Sequence, residues 1–375
     1  MSDIIKKVSE ATDKANGLWD KAYLQVAEKL GIQEPLRIMP YRGYGRSNWV
    51  YVKGRVLEKE GIKTLPEDAP VYENVLNMYR RFDSDEVPNA KVKIRVKDEQ
   101  VTVEADDEGF FETKIELSSP LKTDELWCSA YFELVDPAPT KMPVVNAEGE
   151  FLVVPPSARF GVISDIDDTV VYTAAQEPLK MVEIAYLGNA HSRRPFAGVD
   201  PFYQFLQSGV GGDEGNPVFY VSSSPWNMYD LFDKFMDIND IPNGPILLRD
   251  IELSPSNLMS FSHEGHKKEQ IEPILNRFPD LPFILFGDSG QKDPEIYLQI
   301  VQDYPERILA VCIRDVSDKD KQRHDELDAI ALKLREANVD FVLFPNTITV
   351  AKYAASRGWI EEEKLIDIAS DTGVC

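Results

Sequence analysis

Short runs in which apolar and polar residues alternate fill the first part of the chain. Short runs that are apolar throughout, separated by stretches of helical period, fill the rest. "NWVYVKGRVLEKEG", "KVKIRVKDEQVTVEADDEGFFETKIELSSP" and "ELWCSAYFELVDP" are of the first kind. Val92, Ile94 and Val96 fall on one face of a strand, and Lys93, Arg95 and Lys97 on the other. Polar turns such as "DDEG" join these runs too closely for crossovers, so the strands are expected to be antiparallel. The pattern predicts a small β-sandwich domain over residues 33–155, preceded by an amphipathic N-terminal helix over residues 1–32. A sandwich by itself points to a binding or structural module whose partner the sequence does not name.

From Phe160 the style changes. "FGVIS", "PVFYVSSS", "PFILFGDS", "ILAVCIRDV" and "DFVLFPN" alternate with "KEQIEPILNRF", "PEIYLQIVQDY" and "KQRHDELDAIALKLREA". Parallel strands buried on both faces read as continuous apolar runs, and crossover helices join them. The expectation is an α/β domain with a doubly wound parallel sheet over residues 156–375. Ligands in such sheets bind beyond the carboxyl ends of the strands. Most of the runs end there in polar residues: Asp165 and Asp167, Ser222 to Ser224, Asp288 and Ser289, Arg314 and Asp315.

Composition narrows the function. With 375 residues and a formal net charge of −23, the chain has no basic stripe for nucleic acid and no means of docking unaided on an anionic membrane. The opening residues lack the apolar core of a secretory signal, and no run approaches the ~18 apolar residues that cross a bilayer. Cys128, Cys312 and Cys375 are widely spaced and odd in number, which suggests neither a disulfide framework nor a CxxC metal site. These features fit a soluble cytoplasmic protein.

"GVISDIDDTVVYT" packs Asp165, Asp167 and Asp168 into four positions directly after a strand, an arrangement that repulsion disfavours without a cation. A calcium loop needs Gly at its sixth position and Glu at its twelfth; here Val170 and Gln176 stand there, and a strand precedes. The better reading is D-x-D-x-T at a strand end, with Asp165 and Asp167 facing one pocket. Such a pair suits phosphoryl transfer: one carboxylate attacks phosphorus, and the second protonates the leaving alkoxide and then activates water. Mg²⁺ on the first carboxylate would relieve the repulsion between nucleophile and substrate. "FILFGDSGQKDPEIY" adds Asp288 at a second strand end and Asp293 five residues on, either as further oxygen ligands or, for Asp293, as a helix cap. The hydroxyls of "VSSSPW" and a lysine of the pair Lys267 and Lys268 are candidate phosphate contacts. His263 and His266 have no evident further ligands, so a zinc site is not expected.

The order D-x-D-x-T, strand-end Ser, Lys, then G-D with a second Asp resembles the haloacid-dehalogenase-like phosphohydrolases. "SDIDDTV", "FYVSSSPWNMYDLF" and "FGDSGQKDPEIY" resemble more closely the catalytic domain of the actin-patch phosphatidate phosphatase family, related to the lipin-type enzymes. That family has Asn where Ser223 stands. The resemblance implies a HAD-like (Rossmannoid) fold, Asp165 as nucleophile and Asp167 as acid and base. It also implies Thr169, Ser222, Ser223 and Lys267 around the phosphate, Lys267 being catalytic, and Mg²⁺ at Asp165, Asp288, Asp293 and the main-chain carbonyl of Asp167. Residues 172–215 stand where this superfamily places a small substrate-choosing cap, and Arg193 and Arg194 there are candidate anion contacts. The implied substrate is phosphatidate at a membrane surface. A soluble phosphate ester is the alternative for the same chemistry, and a non-catalytic scaffold is the alternative of another class.

Overall fold

The computed structural model describes residues 36–58, 86–122, 125–137, 144–171, 195–249, 266–317 and 319–371. The expected helix over 1–32, the first part of the 172–215 segment with Arg193 and Arg194, His263 and Cys375 lie outside the described residues. Among the described residues, no helix is long and apolar enough to cross a membrane.

Seven strands precede residue 155: β1 (Leu36–Arg46), β2 (Trp49–Glu58), β3 (Lys91–Val96), β4 (Glu99–Glu104), β5 (Phe110–Glu116), β6 (Trp127–Asp136) and β7 (Asn146–Val153). The alternation read in β3 holds: Val92, Ile94 and Val96 are fully buried, and Lys91 and Arg95 are exposed. The strands form one sheet, ordered β4-β3-β6-β7-β1-β2-β5, where a sandwich would have two. The sheet curls into a near-barrel in which the edge strands β4 and β5 approach each other. β1 escaped the sequence pattern because Pro40, Gly43 and Gly45 interrupt it. A Cβ at Gly43 would stand 2.4 Å from the Tyr51 carbonyl, so the close approach of β1 and β2 requires glycine.

The second sheet holds β8 (Gly161–Asp165), β9 (Val218–Pro225), β10 (Ile246–Arg249), β11 (Phe283–Asp288), β12 (Ile308–Arg314) and β13 (Asp340–Phe344). Its order is β10-β9-β8-β11-β12-β13, and every neighbouring pair is parallel. The five apolar runs became β8, β9, β11, β12 and β13; the four-residue β10 is a sixth strand too short to stand out.

Helices cover both faces. Val162, Tyr220, Phe286 and Cys312 point into a core with α1 (Val199–Ser208), α2 (Tyr229–Ile238), α6 (Thr347–Ser356) and α7 (Leu365–Asp371). Their neighbours Ile163, Phe219, Leu285 and Ile313 point into another with α3 (His266–Arg277), α4 (Asp293–Asp303) and α5 (Lys321–Glu336). Alternation along a strand thus serves two apolar layers, the reason these strands carry no polar face.

The two sheets are packed against each other through β1. Tyr41 stacks on Trp226 with ring centroids 4.4 Å apart and lies 4.5 Å from Tyr229. The Arg42 backbone N–H donates to the Tyr229 hydroxyl (2.7 Å), and its guanidinium pairs with Asp233 (2.6 Å). On the other side, Tyr44 meets Phe219 edge-on and accepts a hydrogen bond from Arg277 (2.7 Å). Because one apolar cluster contains Tyr41, Phe110 and one core of the second sheet, both sheets should unfold in a single calorimetric transition. Tyr41→Ala should cost about 3–5 kcal/mol, as for other large buried rings. Two separate transitions in the unsubstituted protein, or a Tyr41→Ala protein of unchanged stability, would contradict this coupling.

Candidate active site

In the strand order of the second sheet, consecutive connections run outward from β8 to β10 in one direction and from β11 to β13 in the other. Between β8 and β11 the two sets part, leaving a crevice beyond their carboxyl ends. Asp165 ends β8 and Asp288 ends β11, so both carboxylates stand at this crevice.

Asp165, Asp288 and Asp293 are fully buried, with one carboxylate oxygen of each within 4.8 Å of the others. Lys267, in the first turn of α3 and only 1% exposed, enters the cluster. Its ammonium lies 2.7 Å from Asp165 Oδ1 and also pairs with Asp293 Oδ1. Lys268, its alternative, sits on the outside against Asp303 and Glu272. Burial works to lower the Lys267 pKa, but the charges of Asp165, Asp293 and Asp288 outweigh it and hold the ammonium charged. Burial, opposed by Lys267, raises Asp165 well above the carboxylate range. Asp288 is pushed up to about 8, by burial first and then by the charge of Asp293.

Asp293 is not the cap of its helix. α4 begins at Asp293 with Lys292 at the cap position, and Asp293 Oδ2 instead accepts the backbone N–H of Asp288 (3.2 Å). Gly287 makes room for it, since a Cβ there would lie 2.5 Å from Asp293 Oδ2. Asp288 Oδ1 accepts from the backbone N–H groups of Gly290 (2.7 Å) and Gln291 (2.9 Å). Its other oxygen, Oδ2, is buried and accepts no hydrogen bond among the described residues. Three buried carboxylates, one ammonium and an oxygen without a donor make a set that a hard divalent cation fits.

Asp167, half-buried, is not one of the three clustered acids. Its Oδ2 accepts from the Ser222 hydroxyl (2.7 Å) and the Ser224 hydroxyl (3.2 Å). Ser224 joins Ser222 because residues two apart share a strand face; Ser223 falls on the other face. The strand period was legible in "SSS", so Ser224 could have been found from it. The Asp167 carbonyl faces the Gln291 side-chain amide at 3.5 Å. The Thr169 hydroxyl, buried, donates to Asp165 Oδ2 (3.2 Å). Between the two aspartates of the pair and this threonine, Asp168 takes a left-handed conformation (φ 54°) that turns the chain back over the strand tip.

In the sequence Arg314 is only a strand-end polar residue; the structure gives it a definite place. Buried at the end of β12, it donates to the Thr169 carbonyl (3.1 Å) and lies 4.0 Å over the Phe196 ring, holding the D-x-D-x-T turn from behind.

Residues 160–315 match the family described as "Phosphatidate phosphatase APP1, catalytic domain". Phosphatidate phosphatase APP1 of Saccharomyces cerevisiae is 34% identical over 169 residues, which are 44% of this chain and 28% of that protein. An uncharacterized protein of Schizosaccharomyces pombe is 30% identical over 157 residues, 41% of this chain and 25% of its own. The chain spans about a quarter of the length of these curated relatives. A carbohydrate acetylesterase structure from Xanthomonas citri aligns over 84% of this chain and 71% of its own at a TM-score of 0.33 and 11% identity, a likeness too distant to bear on fold or function.

The raised carboxyls make a pH prediction. An Asp titrating near 3.9 when unfolded and near 8 when folded gives the folded state the extra proton between those values, so stability falls as pH rises through that window. The melting temperature of metal-depleted protein should fall from pH 5 to pH 8, and fall less in Asp288→Asn. Added divalent cation, which replaces the proton, should raise it more at pH 8 than at pH 5. Identical pH profiles for the two proteins would refute the assignment of the slope to Asp288.

Proposed function

We propose that this protein, whose residues 160–315 belong to the APP1 phosphatidate phosphatase catalytic-domain family, is a phosphoric monoester hydrolase that acts on phosphatidate. The observation that carries this reading is the meeting of Asp165, Lys267, Asp288 and Asp293, from three separate segments of the chain, in one buried cluster at the sheet's switch point. The named activity of the S. cerevisiae relative supports the substrate class. The parallel sheet and its strand order support a HAD-like fold for residues 156–375, with residues 33–155 as a preceding domain whose described strands pack against it through β1.

Asp165 is the nucleophile. Its carboxylate forms a bond to phosphorus as the bond to the leaving alkoxide breaks, giving an aspartyl-phosphate. Asp167 delivers a proton to the alkoxide, then takes one from the water that cleaves the acyl-phosphate and restores Asp165. Its carboxylate, less buried than that of Asp165 and held by the Ser222 and Ser224 hydroxyls, suits a group that must reach the leaving oxygen. Lys267 sets its charge against the phosphoryl oxygens, with Ser222 and the backbone after β9 as further donors. Mg²⁺, held by Asp165, Asp288, Asp293 and the Asp167 carbonyl, would supply the positive charge that lets two anions approach.

Asp165→Asn should abolish phosphate release while leaving the fold and melting temperature near those of the parent. Asp167→Asn should lower kcat by about 10²–10⁴-fold. Both are read by phosphate release from phosphatidate in mixed micelles, beside a panel of sugar phosphates and nucleotides, with Mg²⁺ present. Turnover by the Asp165→Asn protein would sink the mechanism. Turnover of a soluble ester alone would move the substrate class, and no turnover of any ester would return the scaffold reading.

A further inference from the structure

We propose that Arg323, on α5 and outside the matched residues 160–315, is the positioning residue that holds the metal-side loop of the site in its binding geometry. The loop runs from Asp288 to Asp293 and carries two of the three clustered carboxylates. α5 itself contributes nothing to that cluster.

An arginine has five N–H donors in a rigid fork, and Arg323 places hydrogen bonds on five acceptors. Its Nε donates to the Ser289 carbonyl (2.7 Å), and Nη2 to the Gln291 carbonyl (2.8 Å). The Glu295 carboxylate takes Nη1 at 2.5 Å and Nη2 at 3.1 Å, a two-pronged pair. The fifth acceptor, Glu326 (3.1 Å), is on its own helix. Four of the five bonds therefore end on residues 289–295. The side chain is 11% exposed, and its four bonds to residues 289–295 are partly buried.

The two carbonyls that Arg323 holds belong to the residues on either side of Gly290. The N–H groups of Gly290 and Gln291 face the other way, onto Asp288 Oδ1. The Ser289 carbonyl shares its peptide plane with the Gly290 N–H, so fixing it from outside fixes a donor that orients Asp288 from inside; the bond to the Gln291 carbonyl holds the residue that carries the second donor from its other end. That leaves Asp288 Oδ2 aimed into the cluster without a partner. Glu295, gripped by the same guanidinium, lies in the first turn of α4 with Asp293, so the fork also sets where that helix begins.

A second tie comes from the start of β12's following loop. The Ser289 hydroxyl meets Ser317 (2.7 Å) and accepts the Val316 N–H (2.9 Å). That tie ends at Ser289; beyond it, Arg323 is the side chain of α5 that reaches Gln291 and Glu295. Lysine keeps the charge but cannot span acceptors arranged for a planar fork.

The inference rests on the metal-site reading above, and the test separates the two. Mg²⁺ binding is measured by isothermal titration calorimetry on metal-depleted full-length protein, with no substrate, alongside the melting temperature. Arg323→Lys should weaken Mg²⁺ binding by about 10–100-fold, the range for groups that orient metal ligands. Glu295→Gln should weaken it less. Two controls should bind as the parent does: Glu326→Gln, which removes only the bond to α5 itself, and Leu334→Ala, which destabilises α5 in its core.

Parent-like affinity in a folded Arg323→Lys protein overturns the proposal. So does an equal loss in Glu326→Gln or Leu334→Ala, which would reduce the effect to general loosening of α5. If Arg323→Lys does not fold, parent-like affinity in Glu295→Gln overturns it. No Mg²⁺ binding by the parent protein would overturn the metal-site reading and this inference with it, whereas an unweakened variant beside a binding parent overturns the inference alone.

Discussion

Three buried carboxylates share one ammonium, and the rest of the parallel-sheet half is arranged around that imbalance. Burying like charges together is costly, and Lys267 offsets only part of it. The remainder is borne by backbone N–H groups on Asp288 and Asp293 and by the Thr169 hydroxyl on Asp165. Burial and mutual repulsion accordingly raise the pKa values of Asp165 and Asp288, and a cation in the cluster would relieve the same repulsion.

The fold supplies the places from which these groups arrive. The chain connections diverge between the paired parallel strands β8 and β11, and each of these strands ends in an aspartate. α3 begins with the lysine deep in the crevice, although a helix N-terminus is unfavourable to a positive side chain. The acids it meets reverse that preference, and Lys268, one position on, shows the ordinary outcome by remaining at the surface. Gly287 and the fork of Arg323 work in the same sense: one removes a side chain so that Asp293 can close on the strand, and the other holds the loop from outside.

The N-terminal near-barrel is drawn into this arrangement. Tyr41 stacks on Trp226, two residues after the serine that touches Asp167. Tyr44 is bonded to Arg277 at the far end of the helix that begins beside Lys267. A domain that reads as an independent binding module in the sequence is, in the folded chain, packed against both segments that flank β9.

The sequence by itself determined the two styles of sheet, since a single buried face and two buried faces leave different periods in the residues. It also identified Asp165, Asp288, Asp293 and Lys267 as members of one site, because their order along the chain matches a known pattern. It missed β1, where Pro40 and the glycines hide the alternation, and β10, which is too short to have a period. Tertiary structure alone decided that the first seven strands form one curled sheet, because pairing between distant strands leaves no local trace. It alone separated Lys267 from Lys268, Ser224 from Ser223, and Asp293 the cluster member from Asp293 the helix cap. Arg323 became visible only there too: two of its acceptors are backbone carbonyls about thirty residues away, and a backbone carbonyl looks the same in every sequence.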